Sequence, residues 1–267
     1  MPTQFQLRVP AGADPDLFVG QDWLVSDGNR VFVHGLIGAF SESMAFQELG
    51  EKTRCSAPDL LGYGRDVGRG ITTSGQVDRL RDHVLALGGD PVHLVAHSIG
   101  AVYAFELADA RPDLVESVTS IEGNFSLSDA FWSRSIAELE ENEARQRILS
   151  VLEDPEAFLA SDGIAASTEL LGRAREALAF QPWSTVWESA RAIVATTSRV
   201  EYRETVERVF RGMPVFLVAG ERSASGWDVP SWARASAAGS VEMPGVGHMM
   251  MLQSPREFGL LLKQLWK

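Results

Sequence analysis

The stretch PVHLVAHSIGAVYAF, Pro91 to Phe105, decides how the rest of the chain is read. An uninterrupted apolar run from Val92 to Ala96 meets a turn of small residues and continues into a helical pattern, with Ser98 at the corner. A continuous rather than alternating apolar run is what a strand covered on both faces requires. In Ala96-His97-Ser98-Ile99-Gly100 the residues two before and two after the serine are small. Strand and helix can then approach closely while the serine takes a strained backbone conformation, the geometry of a nucleophile elbow. Such a turn projects the hydroxyl from the carboxyl end of the strand. The N–H of Ile99, at the helix start, then points to where a negative oxygen would develop on an attacked carbonyl. A pentapeptide of this kind also arises by chance in turns, so its weight depends on its surroundings.

Outward from this unit, short apolar runs, glycine-bearing turns and helical stretches recur. Candidate strands are Gln4 to Val9, Arg30 to Gly35, Pro91 to His97, Leu114 to Gly123, Pro214 to Glu221 and Gly239 to Gly245. Candidate helices run from Gly75 to Leu87, Ile99 to Ala110 and Ser254 to Trp266, the last with Ser254 as cap and Pro255 in its first turn. Strands alternating with helices predict an α/β protein with a doubly wound, mostly parallel sheet. From Phe125 to Arg211 no strand-like run occurs, and Ala, Glu, Arg and Leu dominate. Insertions of that length in compact domains are usually lids or functional segments. The expected division is a core domain of residues 1–124 and 212–267 and a helical cap of residues 125–211.

The 267 residues carry 24 Lys and Arg against 36 Asp and Glu, a formal net charge of −12. That excess of carboxylate argues against nucleic acid and against anionic membrane surfaces, both of which are gripped by basic clusters. No window of about 18 uncharged apolar residues is present, which excludes a membrane-spanning helix. In MPTQFQLRVP, Arg8 and Pro10 interrupt the apolar core that a signal peptide would need, so a cytoplasmic protein is expected. The single cysteine, Cys55, excludes an internal disulfide and a cysteine-based metal site. No cluster has metal-ligand spacing and no phosphate-cradling glycine loop is present, so no metal and no cofactor are expected. The expected partner is a small-molecule substrate, met by a monomer or homodimer.

Three further stretches support the serine turn. VFVHGLIGAF is a strand that ends in His34-Gly35; DLLGYGRD, Asp59 to Asp66, is a glycine-rich loop; VEMPGVGHMMMLQSP presents His248 on a loop ahead of the last helix. A serine hydroxyl is a poor nucleophile at neutral pH and needs an imidazole placed to take its proton, for which His248 is the best candidate. In kind, order and sheet position these motifs resemble the α/β-hydrolase superfamily, in a match running from about Arg30 to the C-terminus. The resemblance implies Ser98 as nucleophile, His248 as base, the N–H groups of Leu36 and Ile99 as oxyanion hole, and a cap at 125–211. Haloalkane dehalogenases and epoxide hydrolases of the superfamily carry Asp at the elbow, and the serine argues against both.

The third member of the triad is less direct. Most relatives place an Asp a few residues past the strand that here reads PVFLVAG, where this chain has Gly220-Glu221-Arg222 and then Ser223. A second arrangement, seen in some of the dehalogenases, takes the acid from the end of the earlier strand. That strand is SVTSIEG here, and it carries Glu122. A carboxylate from either strand can hold the imidazole in one tautomer and stabilise its charged form. Glu122 is favoured, with Asp228 or Glu221 as alternatives.

His34, Gly35, Phe40, Met249 with its neighbours Met250 and Met251, and the cap aromatics Trp132, Trp183 and Trp187 are expected at an apolar substrate site. Most cap aromatics are nonetheless expected to join cap helices to each other and to the core. His97 is expected to point away from Ser98 by strand alternation. The reaction expected is hydrolysis of an ester or related acyl bond through an acyl-enzyme. Acyl transfer, thioester hydrolysis and carbon–carbon bond hydrolysis reuse the same residues, and a low-turnover ligand-binding protein is the alternative of a different class. Glu138, Glu140, Glu141, Glu143, Glu153, Asp154 and Glu156 make the cap acidic, which favours neutral substrates.

Overall fold

The computed structural model describes residues 28–38, 40, 45–49, 53–66 and 70–266; the strand expected at Gln4 to Val9 lies outside them. Among the described residues six strands form one sheet: β1 Arg30–Val33, β2 Cys55–Ser56, β3 Val92–His97, β4 Val115–Ile121, β5 Val215–Gly220 and β6 Gly239–Met243. Their order is β2-β1-β3-β4-β5-β6, and every pairing is parallel. The sheet is therefore doubly wound, as the continuous apolar runs require.

Strand alternation sorts those runs into two cores. Val31 and Val33 of β1, Leu94 and Ala96 of β3, and Leu217 and Ala219 of β5 face one side. Phe32, Val95, Phe216 and Val218, the residues between them, face the other. On the first side lie α2 (Thr73–Ala86) and α3 (Gly100–Ala110); on the second lie α1 (Ala45–Leu49) and α12 (Pro255–Leu265), packed against each other. Thr72 caps α2, its Oγ1 accepting the Gly75 N–H at 3.0 Å. Pro255 opens α12 as expected, but Ser254 makes no side-chain cap bond. Its N–H closes the short helix α11 (Met250–Gln253) on Met250 O at 2.9 Å, so one residue ends one helix and begins the next.

Between β4 and β5 the chain forms α4 (Phe131–Ala137), α5 (Glu141–Leu152), α6 (Pro155–Ser161), α7 (Thr168–Ala179), α8 (Trp183–Thr197) and α9 (Val200–Gly212). The last of these packs along α3, where Arg208 forks onto Asp109 at 2.8 and 2.7 Å and Thr205 Oγ1 donates to the same carboxylate at 3.2 Å. By position α9 belongs to the layer that flanks the sheet. A short helix, α10 (Ser231–Ser236), separates β5 from β6.

The strand-to-helix turn after β3 has no spare volume. A Cβ on Gly100 would stand 2.5 Å from the His34 carbonyl oxygen and 2.6 Å from that of Val33. Replacing a helical glycine by alanine ordinarily stabilises by about 1 kcal/mol. At this position Gly100→Ala should instead destabilise by roughly 1–3 kcal/mol, the cost of overpacking, as read from urea unfolding.

Candidate active site

The strand order supplies the location. From β1 the chain steps outward to β2 and then crosses back to β3, so the connections at the carboxyl ends of β1 and β3 leave in opposite directions. The crevice between them is where open α/β sheets bind ligands. Gly35 follows β1 at this crevice, and its Cα comes so close to the next turn that a Cβ would stand 3.1 Å from Ser98 Cβ and 2.7 Å from His97 Nδ1. The buried pair Leu36 and Ile99 flanks the crevice from the two turns. Tyr63 Oη donates to Leu36 O at 3.1 Å and so pins the turn after β1. Ile99 precedes the first turn of α3, where N–H groups have no carbonyl four residues back to accept them.

Two residues carry the strain. Ser98 has φ 53° and Glu122 has φ 42°, the two non-glycine residues with positive φ among those described. Each follows directly on a strand end, β3 for Ser98 and β4 for Glu122, and His97 pairs with Ile121 in the register. The Ser98 N–H donates to Ile121 O and the Glu122 N–H to Val218 O, both at 2.9 Å, so the sheet hydrogen bonding runs one residue into each turn. Left-handed side chains of this kind cost about 1–3 kcal/mol each, persist where the surroundings over-determine them, and cluster at functional sites.

Glu122 is 6% exposed and fully bonded. Its Oε2 lies 2.7 Å from His248 Nδ1, while Oε1 accepts the Gly220 N–H at 2.8 Å and the Ser223 hydroxyl at 2.5 Å. Burial alone would raise its carboxyl, but the His248 imidazole, the Ser223 hydroxyl and the Gly220 N–H hold it below the usual carboxylate range. Burial opposes the charged form of His248 in turn. The Glu122 carboxylate outweighs that and lifts the imidazole above its ordinary value, with a further contribution from Asp162. With a carboxylate on Nδ1, that nitrogen carries the proton and Nε2 is left as the basic lone pair.

The two alternative acids stand elsewhere. Glu221 is exposed and its Oε2 accepts the Gly245 N–H at 2.8 Å; Asp228 is exposed and its main chain is anchored on Asp129. Ser223, at the position where an Asp was expected, instead donates to the acid that replaces it. Sequence separation hid two further supports of His248. His97 points to the far face of the sheet as alternation requires, yet its ring lies 4.5 Å from that of His248 and its Nε2–H donates to His248 O at 3.1 Å. Asp162, at the end of α6, accepts the N–H groups of His248 and Met249.

Several residues expected at a substrate surface are packed away from one. Phe40 is buried among Phe32, His97 and Phe258, and Met250 and Met251 lie in the same core under α12. These belong to the far side of the sheet because α11 and α12 fold back beneath it. Trp183 and Trp187 pack with their rings tilted and 6.3 Å apart, with the guanidinium groups of Arg145 and Arg191 over them. Thr185, Glu188 and Ser189 turn the other side of α8 to Gly62, Tyr63, Gly70 and Ile71. At about 3.6 residues per turn, the two tryptophans fall on the opposite face from these contacts. Trp132 sits half-buried on α4 against the first core, and Met249 packs beside Leu159, Ile164 and Leu252.

His34 does lie at the crevice, between the rings of Tyr63 and Phe180 at 4.5 and 5.5 Å. Its Nδ1–H donates to Gly35 O at 2.8 Å, burial lowers its pKa to about 4, and Nε2 has no hydrogen-bond partner among the described residues. A neutral, buried acceptor of this kind suits a polar group of a ligand. Cys55 is half-buried, and its thiol is pushed up to about 11 by burial, which makes it a poor nucleophile.

The chain is similar to proteins already known. The model of a family described as "Alpha/beta hydrolase family" matches residues 31–259. Solved structures that are similar include a thermophilic esterase from Thermogutta terrifontis (TM-score 0.68, 18% identity, covering 88% of this chain and 88% of that one). Another is described among carboxylesterases of the ammonia-oxidizing thaumarchaeon Nitrososphaera gargenis (TM-score 0.66, 16% identity, 98% and 92% covered). A third is a haloalkane dehalogenase from Bradyrhizobium elkani (TM-score 0.62, 18% identity, 89% and 89% covered). No match is found among curated proteins.

The Glu122 carboxylate raises His248, so Glu122→Gln should move the titration of the His248 imidazole to lower pH, read by NMR. Asp228→Asn and Glu221→Gln should leave it in place.

Proposed function

The chain belongs to the alpha/beta hydrolase family, and from that premise we propose that it is a serine hydrolase of small, neutral, mainly apolar esters. The observation that carries the reading is the 2.7 Å contact between Glu122 Oε2 and His248 Nδ1, beside a left-handed serine at the neighbouring strand end. Family members with esters, haloalkanes or epoxides as substrates share the scaffold. The serine at the elbow and the glutamate on the imidazole favour acyl chemistry.

In this reading Ser98 Oγ attacks the carbonyl carbon while His248 Nε2 takes the hydroxyl proton. The new oxyanion is held by the N–H groups of Leu36 and Ile99, each worth about 3 kcal/mol to the transition state. The carbonyl reforms, the alcohol leaves with the proton from His248, and the acyl group stays on Ser98. Water then repeats the sequence with His248 as base, releasing the acid and restoring the serine. Glu122 keeps Nδ1–H in place and stabilises the imidazolium each time it forms. The lid in this proposal comprises residues 125–199, α9 being part of the core. The seven carboxylates expected on the cap are all exposed, a surface that disfavours anions at an entrance beside it.

A fluorophosphonate probe should label Ser98, and Ser98→Ala should abolish the labelling; an unlabelled native protein would sink the reading in favour of a ligand-binding role. Hydrolysis of p-nitrophenyl esters of increasing length, with a thioester and a lactone alongside, identifies the acyl group preferred. Glu122→Gln should lower kcat by about 10³- to 10⁴-fold. The base must be neutral to act, so kcat/KM falls as pH drops through the raised pKa of His248. In Glu122→Gln that acidic limb should move to lower pH even as the plateau falls.

A further inference from the structure

We propose that Asp162, a residue of the inserted helical segment, is a positioning residue for the reaction. Its carboxylate grips the loop that carries His248 and so makes the lid part of the apparatus that places the base. The inference rests on the reading of His248 as the catalytic base.

The grip is bidentate. Asp162 Oδ1 accepts the N–H of His248 and Oδ2 the N–H of Met249, both at 2.9 Å. The backbone before them passes directly over the carboxylate, since a Cβ on Gly247 would lie 2.8 Å from Asp162 Oδ1 and 3.0 Å from the Asp162 carbonyl oxygen. With these bonds, the N–H, the C=O and Nδ1 of His248 are each held by a different segment. Asp162 from the end of α6 takes the N–H, His97 from β3 binds the carbonyl at 3.1 Å, and Glu122 from β4 takes Nδ1 at 2.7 Å. Three side chains on three segments therefore define both the position and the rotation of one imidazole.

The turn that bears Asp162 is itself fastened to the far side of the same loop. Arg222 Nη1 donates to Gly163 O at 2.8 Å and its Nη2 to Gln253 Oε1 at 2.7 Å, which ties the turn to β5 and to α11. Arg173 of α7 donates to Leu252 O at 3.1 Å. Under these bonds Leu159, Ile164 and Ala174 of the insertion enclose Leu252, with Phe158 and Met249 against them. The α6–α7 turn and the His248 loop are thus bonded and packed to each other, so a displacement of this part of the lid would act on the base.

Electrostatics point the same way. Burial pushes the Asp162 carboxyl above the usual range, opposed by the two N–H groups and by His248. The titratable groups that face His248 are Glu122, Asp162 and His97. The first two favour the imidazolium, while His97 is held neutral by burial and by the neighbouring His248. Removing the Asp162 charge therefore acts on His248 in the direction opposite to its present shift.

The test uses Asp162→Asn, which keeps the shape and one acceptor, and Asp162→Ala, which removes both. In a Ser98→Ala background, where no reaction runs, the His248 imidazole should titrate at lower pH in Asp162→Asn than in the parent. In the parent protein, Asp162→Asn should slow fluorophosphonate labelling of Ser98 by up to about 100-fold, chiefly through the rate of the bond-forming step rather than probe affinity. If Asp162→Ala does not fold, Asp162→Asn alone decides. An unchanged titration together with unchanged labelling in a folded Asp162→Asn protein would overturn the proposal. Should the parent itself resist labelling, the reading of the reaction has failed, and the titration still reports whether the Asp162 carboxylate acts on His248.

Discussion

The structure depends on one register. Ala96 pairs with Ser120 and His97 with Ile121, so β3 and β4 end side by side and each hands its next residue to a left-handed turn. Those residues are Ser98 and Glu122. Because the sheet hydrogen bonds run on into both turns, a slip of one residue would reverse the facing of every side chain along β4, as a pleat with period two requires. Correct pairing in the apolar interior and correct placement of two polar groups at its rim are therefore the same condition.

Around this rim, main-chain groups that the turns would leave unpaired are taken up by side chains from distant segments. Glu122 satisfies Gly220, His97 satisfies the His248 carbonyl, and Asp162 satisfies two successive N–H groups. A buried N–H or C=O without a partner costs about 1–3 kcal/mol, so each of these polar residues stabilises the fold while it shapes the site. The substitution of Ser223 for the expected acid fits this pattern. Moving the carboxylate from the end of β5 to the end of β4 leaves a gap beside Gly220, and a hydroxyl fills it by donating to the relocated carboxylate.

How much was legible in the sequence divides along the same lines. Ser98 and the α/β alternation could be read locally, because small residues at fixed offsets and uninterrupted apolar runs have local causes. Glu122 followed from a missing Asp together with a carboxylate at a strand end. His97 was read correctly for its direction and missed for its contact, because nothing near residue 97 says that residue 248 will lie over that face. Asp162 sat in a helix-rich stretch among many acids, and only the folded chain singles it out. The placements of Phe40, Trp183 and Trp187 share a cause: aromatic residues signal burial without saying against what, and Phe40 packs on the far face of the sheet while the two tryptophans pack with each other, with Arg145 and Arg191, against the first core.

The sheet face formed by Phe32, Val95, Phe216 and Val218 is covered chiefly by α12, which follows every strand in the chain. During synthesis that face is only partly covered, by Phe40 and α1 among the described residues, until residues 250–265 have emerged. Until α12 is in place, much of that aromatic face is open, a state in which sheets associate with one another. Most contacts that complete the molecule join residues far apart in sequence, the condition under which folding is slow. Chaperones that shield apolar sheet faces should therefore raise the yield of folded protein.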